Sequence, residues 1–180
     1  MNKMTDAKEY GKALFLVAEE DGAAEAVAEA VSTLRHIFKE NPEYLRLLDT
    51  PALTREEKHS LIDEALSSLD SRAINLVKIL SDARMCYLYD KVFTTFNAMY
   101  DDYRGIERVE AVTAVALTEA QTRALAAKVQ ELTGKRAIIK NTVDKEILGG
   151  VKLRFDGKQL DGSVKGRLDK FEAALKDTVI

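Results

Sequence analysis

Up to about Gly105 the apolar positions recur every three or four residues, and beyond it stretches of strict alternation appear. The first pattern predicts helices with one buried side, the second half-buried strands. Tyr10, Ala13, Leu14 and Val17 form the stripe of a first helix. Val27, Val31, Leu34 and Phe38 form the inward face of a second, from Ala23 to about Glu40. Asn41-Pro42 opens a short third helix through Tyr44, Leu45 and Leu48, proline suiting the first helical position. Thr54-Arg55-Glu56-Glu57 is a capping box, and Leu61, Ile62, Ala65, Leu66 and Leu69 follow as the fourth helix's buried set. Asp70 or Ser71 caps a fifth helix, Arg72–Arg84. A sixth, from about Met85 to Arg104, carries Leu88, Val92, Phe93, Phe96, Met99 and Tyr103. Short connections make such helices antiparallel neighbours, so residues 1–105 should form a bundle of about six helices.

Residues 106–180 read as a small α/β domain in the order strand, helix, strand, strand, helix. Arg108–Val115 is rich in β-branched residues. The Thr118-Glu119-Ala120-Gln121 box opens a helix through Leu125, Val129 and Leu132 that ends at Gly134. Ala137–Asn141 is a strand and Asp144–Leu148 a turn-rich link. Val151, Leu153 and Phe155 alternate with charged residues, and Asp156-Gly157 supplies a tight turn. A short strand closes at Asp161-Gly162, and Ser163 caps a last helix with Val164, Leu168, Phe171 and Leu175 on one side.

Two bundle helices carry more apolar surface than a core requires. On the first, Tyr10, Ala13, Leu14, Phe15 and Val17 spread over roughly 200° of the wheel, with Leu16 beyond it, where a core stripe needs about 100°. On the fifth, Ala73, Leu76, Val77, Ile79, Leu80 and Ala83 fill a similar arc. A helix packed between two others accounts for such an arc. So does a pair of helices lining a groove for a partner's amphipathic helix.

The 180 residues suffice for one large or two small cores. A net charge of −3 and a pI near 5.6 argue against nucleic acid as a partner. No apolar run approaches the roughly 18 residues of a membrane span, and Met1–Lys12 lacks a signal-peptide core. The chain is expected in the cytosol, docked on something embedded in a membrane. Cys86 is alone, and His36 and His59 read as surface or cap residues, so neither thiol chemistry nor a metal site is expected. Thr133-Gly134-Lys135 has no glycine five positions before Gly134 and no hydroxyl residue after Lys135, so it is no phosphate loop. Gly149-Gly150 precedes a strand, whereas phosphate-cradling glycines follow one, so the pair reads as a backbone bend. Asp101-Asp102 and Glu56-Glu57 read as solvated faces.

Two motifs carry a family resemblance. Tyr10-Gly11-Lys12-Ala13-Leu14-Phe15 lies in the first helix, with Gly11 where the family pattern has alanine; Gly11 is expected only to weaken the helix slightly. Gly149-Gly150-Val151 runs on to Asp161-Gly162-Ser163-Val164, with Arg167-Leu168 after it. Together with Asn75–Leu80 and Arg84 they make the chain resemble the delta subunit of F-type ATP synthases, whose mitochondrial counterpart is the oligomycin-sensitivity-conferring protein. The resemblance implies a non-catalytic stator connector, with no cofactor and no nucleotide, peripheral on the cytoplasmic side of the cell membrane. It would link the alpha/beta catalytic head to the b-subunit peripheral stalk in proton-driven ATP synthesis. It further implies that Tyr10, Ala13, Leu14, Leu76, Ile79 and Leu80 hold the N-terminal helix of an alpha subunit. Contacts to the C-terminal helices of the b subunits would fall on Val164, Leu168, Phe171 and Leu175, which compete with the domain's own core. The alternative readings are an unrelated adaptor binding another amphipathic helix, and a small enzyme using the loop near Gly149.

Overall fold

The computed structural model describes residues 3–147, 149–155 and 158–162. The chain divides into two compact units, Met1–Tyr100 and Asp101–Ile180. The first holds α1 (Lys3–Glu20), α2 (Ala24–Glu40), α3 (Pro42–Asp49), α4 (Arg55–Leu66), α5 (Ser71–Asp82), a single 3-10 turn (Cys86–Leu88) and most of α6 (Tyr89–Tyr103). The chain therefore has the expected architecture, a helical bundle followed by a small α/β unit.

The caps act as their chemistry dictates. At α4 the Glu57 N–H donates to Thr54 Oγ1 (3.2 Å) while the Thr54 N–H donates to Glu57 Oε2 (2.8 Å). At α5 the Asp70 carboxylate accepts the Arg72 N–H at 2.9 Å. Helix α5 ends with Arg84 in the left-handed region (φ 51°) and the Met85 N–H bonded to Leu80 O. The sixth helix starts four residues later than the sequence suggests. The reason is Asp49, whose two carboxylate oxygens take the N–H groups of Cys86 (3.0 Å) and Tyr87 (3.1 Å) and hold this stretch as a separate turn.

Val27, Val31, Leu34 and Phe38 of α2 are buried as expected, with Leu48, Ile62, Leu66, Val92, Phe93 and Phe96 around them. Phe38 stacks on Phe93 with ring centroids 6.2 Å apart, and Phe15 meets Phe96 edge-on at 6.1 Å. Ala65, read as inward from the sequence, faces solvent, and Tyr103 is exposed.

Helix α1 departs most from its expected register. Its buried positions are Ala7, Gly11, Leu14, Phe15 and Ala18, while Ala13 and Val17 face outward. The cause is Gly11. A Cβ there would lie 2.4 Å from the Val92 carbonyl oxygen and 2.8 Å from Thr95 Cβ on α6. The absent side chain lets the two backbones approach and fixes the rotation of α1, so this glycine does more than loosen the helix.

The second unit contains β1 (Ile106–Thr113), α7 (Glu119–Thr133), β2 (Arg136–Val143), β3 (Val151–Phe155) and β4 (Lys158–Asp161) in the sheet order β2-β1-β3-β4. β1 and β2 are parallel, joined through α7; β1 with β3 and β3 with β4 are antiparallel. Thr118 and Gln121 form the capping box of α7, and Gly134 (φ 72°) ends it. Helix α7 packs on β2, with its Val129 buried and Leu132 exposed. Gly150 takes φ 86°, which makes the Gly149-Gly150 bend available only to glycine. The helix expected from Ser163 lies outside the described residues.

Two predictions follow from this packing. Gly11→Ala should destabilise the bundle by about 1–3 kcal/mol despite alanine's better helix propensity, because the added methyl meets backbone; chemical denaturation of both proteins checks this. Tyr44, whose hydroxyl donates to Leu61 O at 3.4 Å, has its pKa pushed up to about 12 by burial and secondarily by Cys86. In the unfolded chain a tyrosine ionises near pH 10. Below pH 10 the protonated ring therefore contributes its full stability, and that contribution is lost as pH rises from about 10 to about 12. Denaturation across that window should show the decline, and Tyr44→Phe should flatten it.

Candidate helix-binding surface

The rotation set by Gly11 leaves the opposite side of α1 unpaired. Ala13, Leu16 and Val17 lie there at i, i+3 and i+4, with Leu16 55% and Val17 47% exposed. α1 packs on α5, and Arg72 at the start of α5 donates through Nε to Asp21, just past the end of α1, at 2.7 Å. The same guanidinium bonds Asp70 at 3.0 Å, so the α1–α5 corner is tied by two carboxylates on one arginine.

Packing also decides what α5 presents. Ala73, Leu76, Val77 and Leu80 fill the core. Lys78 reaches Asp63 of α4 at 2.7 Å, and Asp82 accepts from Arg55 (2.9 Å) and meets His59 (3.1 Å), both on α4. What remains outward in the middle of α5 is Asn75 and Ile79, the latter 47% exposed. The outward residues of these two packed helices, Ala13, Leu16 and Val17 on α1 and Ile79 on α5, make up the candidate apolar ridge.

Of the six positions expected to contact a helix, Ala13 and Ile79 lie on this ridge. Tyr10 is half-buried and packs against the core cluster. Leu14, Leu76 and Leu80 fill the bundle's interior and support the ridge from beneath. Leu16 and Val17 are the residues that sequence reasoning misplaced, Leu16 as lying beyond the arc and Val17 as inward. The signal that could have found them was Gly11, since a glycine in mid-helix marks the side that meets a neighbour's backbone. Val164, Leu168, Phe171 and Leu175 lie outside the described residues.

Most of the groups capable of chemistry are committed to the structure. Cys86 is buried, and burial, with Asp49 adding to it, pushes its thiol above the ordinary range, away from a nucleophilic thiolate. His36 is exposed and His59 is committed to Asp82. Asp101 is not the solvated side chain that the sequence suggested: it is buried and accepts two bonds from Arg108, at 2.5 and 2.9 Å. Asp102 pairs with Lys135 at 2.6 Å. Among the described residues no cluster of His, Cys, Asp and Glu could hold a metal ion, and no helix is long and apolar enough to cross a membrane.

Comparison with known proteins places the chain in a family. The sequence profile described as "ATP synthase delta (OSCP) subunit" matches residues 7–175. ATP synthase subunit delta of a Geobacillus species is 32% identical over 176 residues, covering 97% of this chain and 99% of its own. The subunit delta of Lactobacillus johnsonii is 32% identical over 170 residues, covering 94% and 93%. In fold, the chain resembles one in the mitochondrial ATP synthase hexamer of Toxoplasma gondii, with a TM-score of 0.77 at 23% identity over 94% of this chain and 96% of that one. Matched over nearly its whole length by profile, relatives and fold, the chain belongs to the ATP synthase delta (OSCP) subunit family.

Proposed function

We propose that this protein is the stator connector of an F-type ATP synthase. Its first unit holds the N-terminal helix of an alpha subunit, and its second meets the C-terminal helices of the b subunits in the peripheral stalk. It works without catalytic residues, attached peripherally to the membrane complex on the cytoplasmic side. By resisting rotation of the head, it lets torque from the rotor drive ATP synthesis instead of spinning the alpha/beta ring. The observation that carries this reading is the outward ridge of Ala13, Leu16, Val17 and Ile79, unpaired apolar surface on two packed helices.

Magnitudes define what the ridge can do. Full burial of a large aliphatic side chain gives about 1.5–3 kcal/mol. Leu16, Val17 and Ile79 are already about half covered, so together they gain roughly 2–5 kcal/mol, and a matching partner surface about doubles that. Association costs several kcal/mol, while micromolar affinity needs about −8 kcal/mol. The ridge alone falls short of a load-bearing joint. A second attachment through the α/β unit raises the effective concentration at the first and multiplies the overall affinity by about 10² or more.

Ala13 lies at the centre of this surface without supporting the core, so Ala13→Asp should leave the fold intact. The substitution sets a charge where the partner's apolar side must lie, and should weaken binding of a peptide of the alpha subunit's N-terminus at least about tenfold. Isothermal titration with circular dichroism as a fold check measures it. Equal affinity in a folded variant, or no peptide binding by the wild-type chain up to about 1 mM, would contradict the assignment.

A further inference from the structure

The sheet of the second unit has two unlike faces. Glu107, Val109, Ala111 and Thr113 of β1 alternate onto one face and are all buried. Arg108 and Glu110 lie on the other, and the strand register continues that face through Ile138 and Lys140 of β2, Arg154 of β3 and Gln159 of β4. These six line a concavity of about 500 Å³. Three of them are cations and one is a carboxylate; with Asp101, which pairs with Arg108, the face keeps one net positive charge in a chain of net charge −3.

The cations are oriented and not exhausted by their partners. Asp101 holds Arg108 through Nε and Nη2, which leaves Nη1 uncommitted to it. Glu110, which also accepts from Thr142 Oγ1 (3.2 Å), lies 3.5 Å from Arg154 Nη1. Lys140 is exposed and, among the described residues, has no ion-pair partner. Ile138, 38% exposed, supplies an apolar floor between them.

We propose that this face docks an acidic polypeptide segment, which sets carboxylates against Arg108, Lys140 and Arg154 around an apolar side chain seated on Ile138. Charge complementarity selects the occupant. Glu110 in the middle of the face disfavours a continuous polyphosphate, which repeats its charge without gaps. The chain's own residues 163–180 carry four Lys and Arg against three Asp and Glu, the wrong balance for this surface. The proposal uses no residue of the α1–α5 ridge and stands independently of it.

The test uses the full chain and a fluorescein-labelled peptide of four Glu-Ala-Leu repeats, with the Lys-Ala-Leu counterpart as control, read by fluorescence anisotropy. The acidic peptide should bind with Kd of about 10–100 μM in 50 mM salt and weaken clearly at 300 mM. Lys140→Glu and Arg154→Glu should each weaken it roughly tenfold. Lys128→Glu, on the exposed surface of α7, should change it little. Amide shift changes on titration should centre on residues 108–110, 138–140 and 154. Absence of binding up to about 1 mM would overturn the proposal. So would equal loss in Lys128→Glu, shift changes centred elsewhere, or tighter binding of a twelve-nucleotide oligothymidylate.

Discussion

The first unit depends on the contact between α1 and α6 at Gly11. Two backbones meet where any side chain would collide with the Val92 carbonyl oxygen, and that approach selects one rotation of α1. Once the rotation is set, Ala7, Leu14, Phe15 and Ala18 go inward, and Phe15 reaches Phe96. Ala13, Leu16 and Val17 go outward by the same geometry. Core and exposed ridge are therefore two results of one steric constraint, because a helix cannot turn one side in without turning the other out.

The polar groups of the bundle reinforce that choice. Arg72 joins the end of α1 to the start of α5 through Asp21 and Asp70, and α5 spends its charged side chains on α4 through Asp63, Arg55 and His59. An ion pair near the surface contributes little stability. Its effect here is positional: Lys78 and Asp82 are drawn toward α4, while Ile79 between them stays outward. In the proposed role that apolar stretch is what an incoming amphipathic helix would cover. A weak single joint suits a connector attached at two places, since each joint holds the other near its partner.

The order of elements was legible in the sequence because local rules decide it. The Thr54 and Thr118 capping boxes, Asp70, Pro42 and Gly134 fix helix ends by hydrogen bonds that span only a few residues. The α2 face of Val27, Val31, Leu34 and Phe38 was clear because polar residues flank it on both sides. Helix α1 was ambiguous because it is apolar over most of its circumference, so periodicity could not choose between neighbouring stripes. The choice was made by a long-range contact with α6, some eighty residues away in sequence. The same holds for the turn at Cys86–Leu88, drawn out of α6 by Asp49, and for Asp101, buried by Arg108 from the following strand. Family resemblance supplied the helices at the candidate site but not the side of each that faces out. Leu14, Leu76 and Leu80 lie on the two helices of the candidate site but face the core.

The rotation of α1 is the claim on which the rest stands, and thiol accessibility reads it directly. Cys86 is buried, so a cysteine introduced elsewhere reports against a low background. Cysteines placed singly at Ala13, Leu16, Val17, Leu14 and Ala18 would be labelled with a maleimide under native conditions. The account predicts fast labelling for Ala13→Cys, Leu16→Cys and Val17→Cys, and slow labelling for Leu14→Cys and Ala18→Cys. Protection of positions 13 and 17 together with rapid labelling at 18 would mean that α1 is turned the other way, and would contradict it.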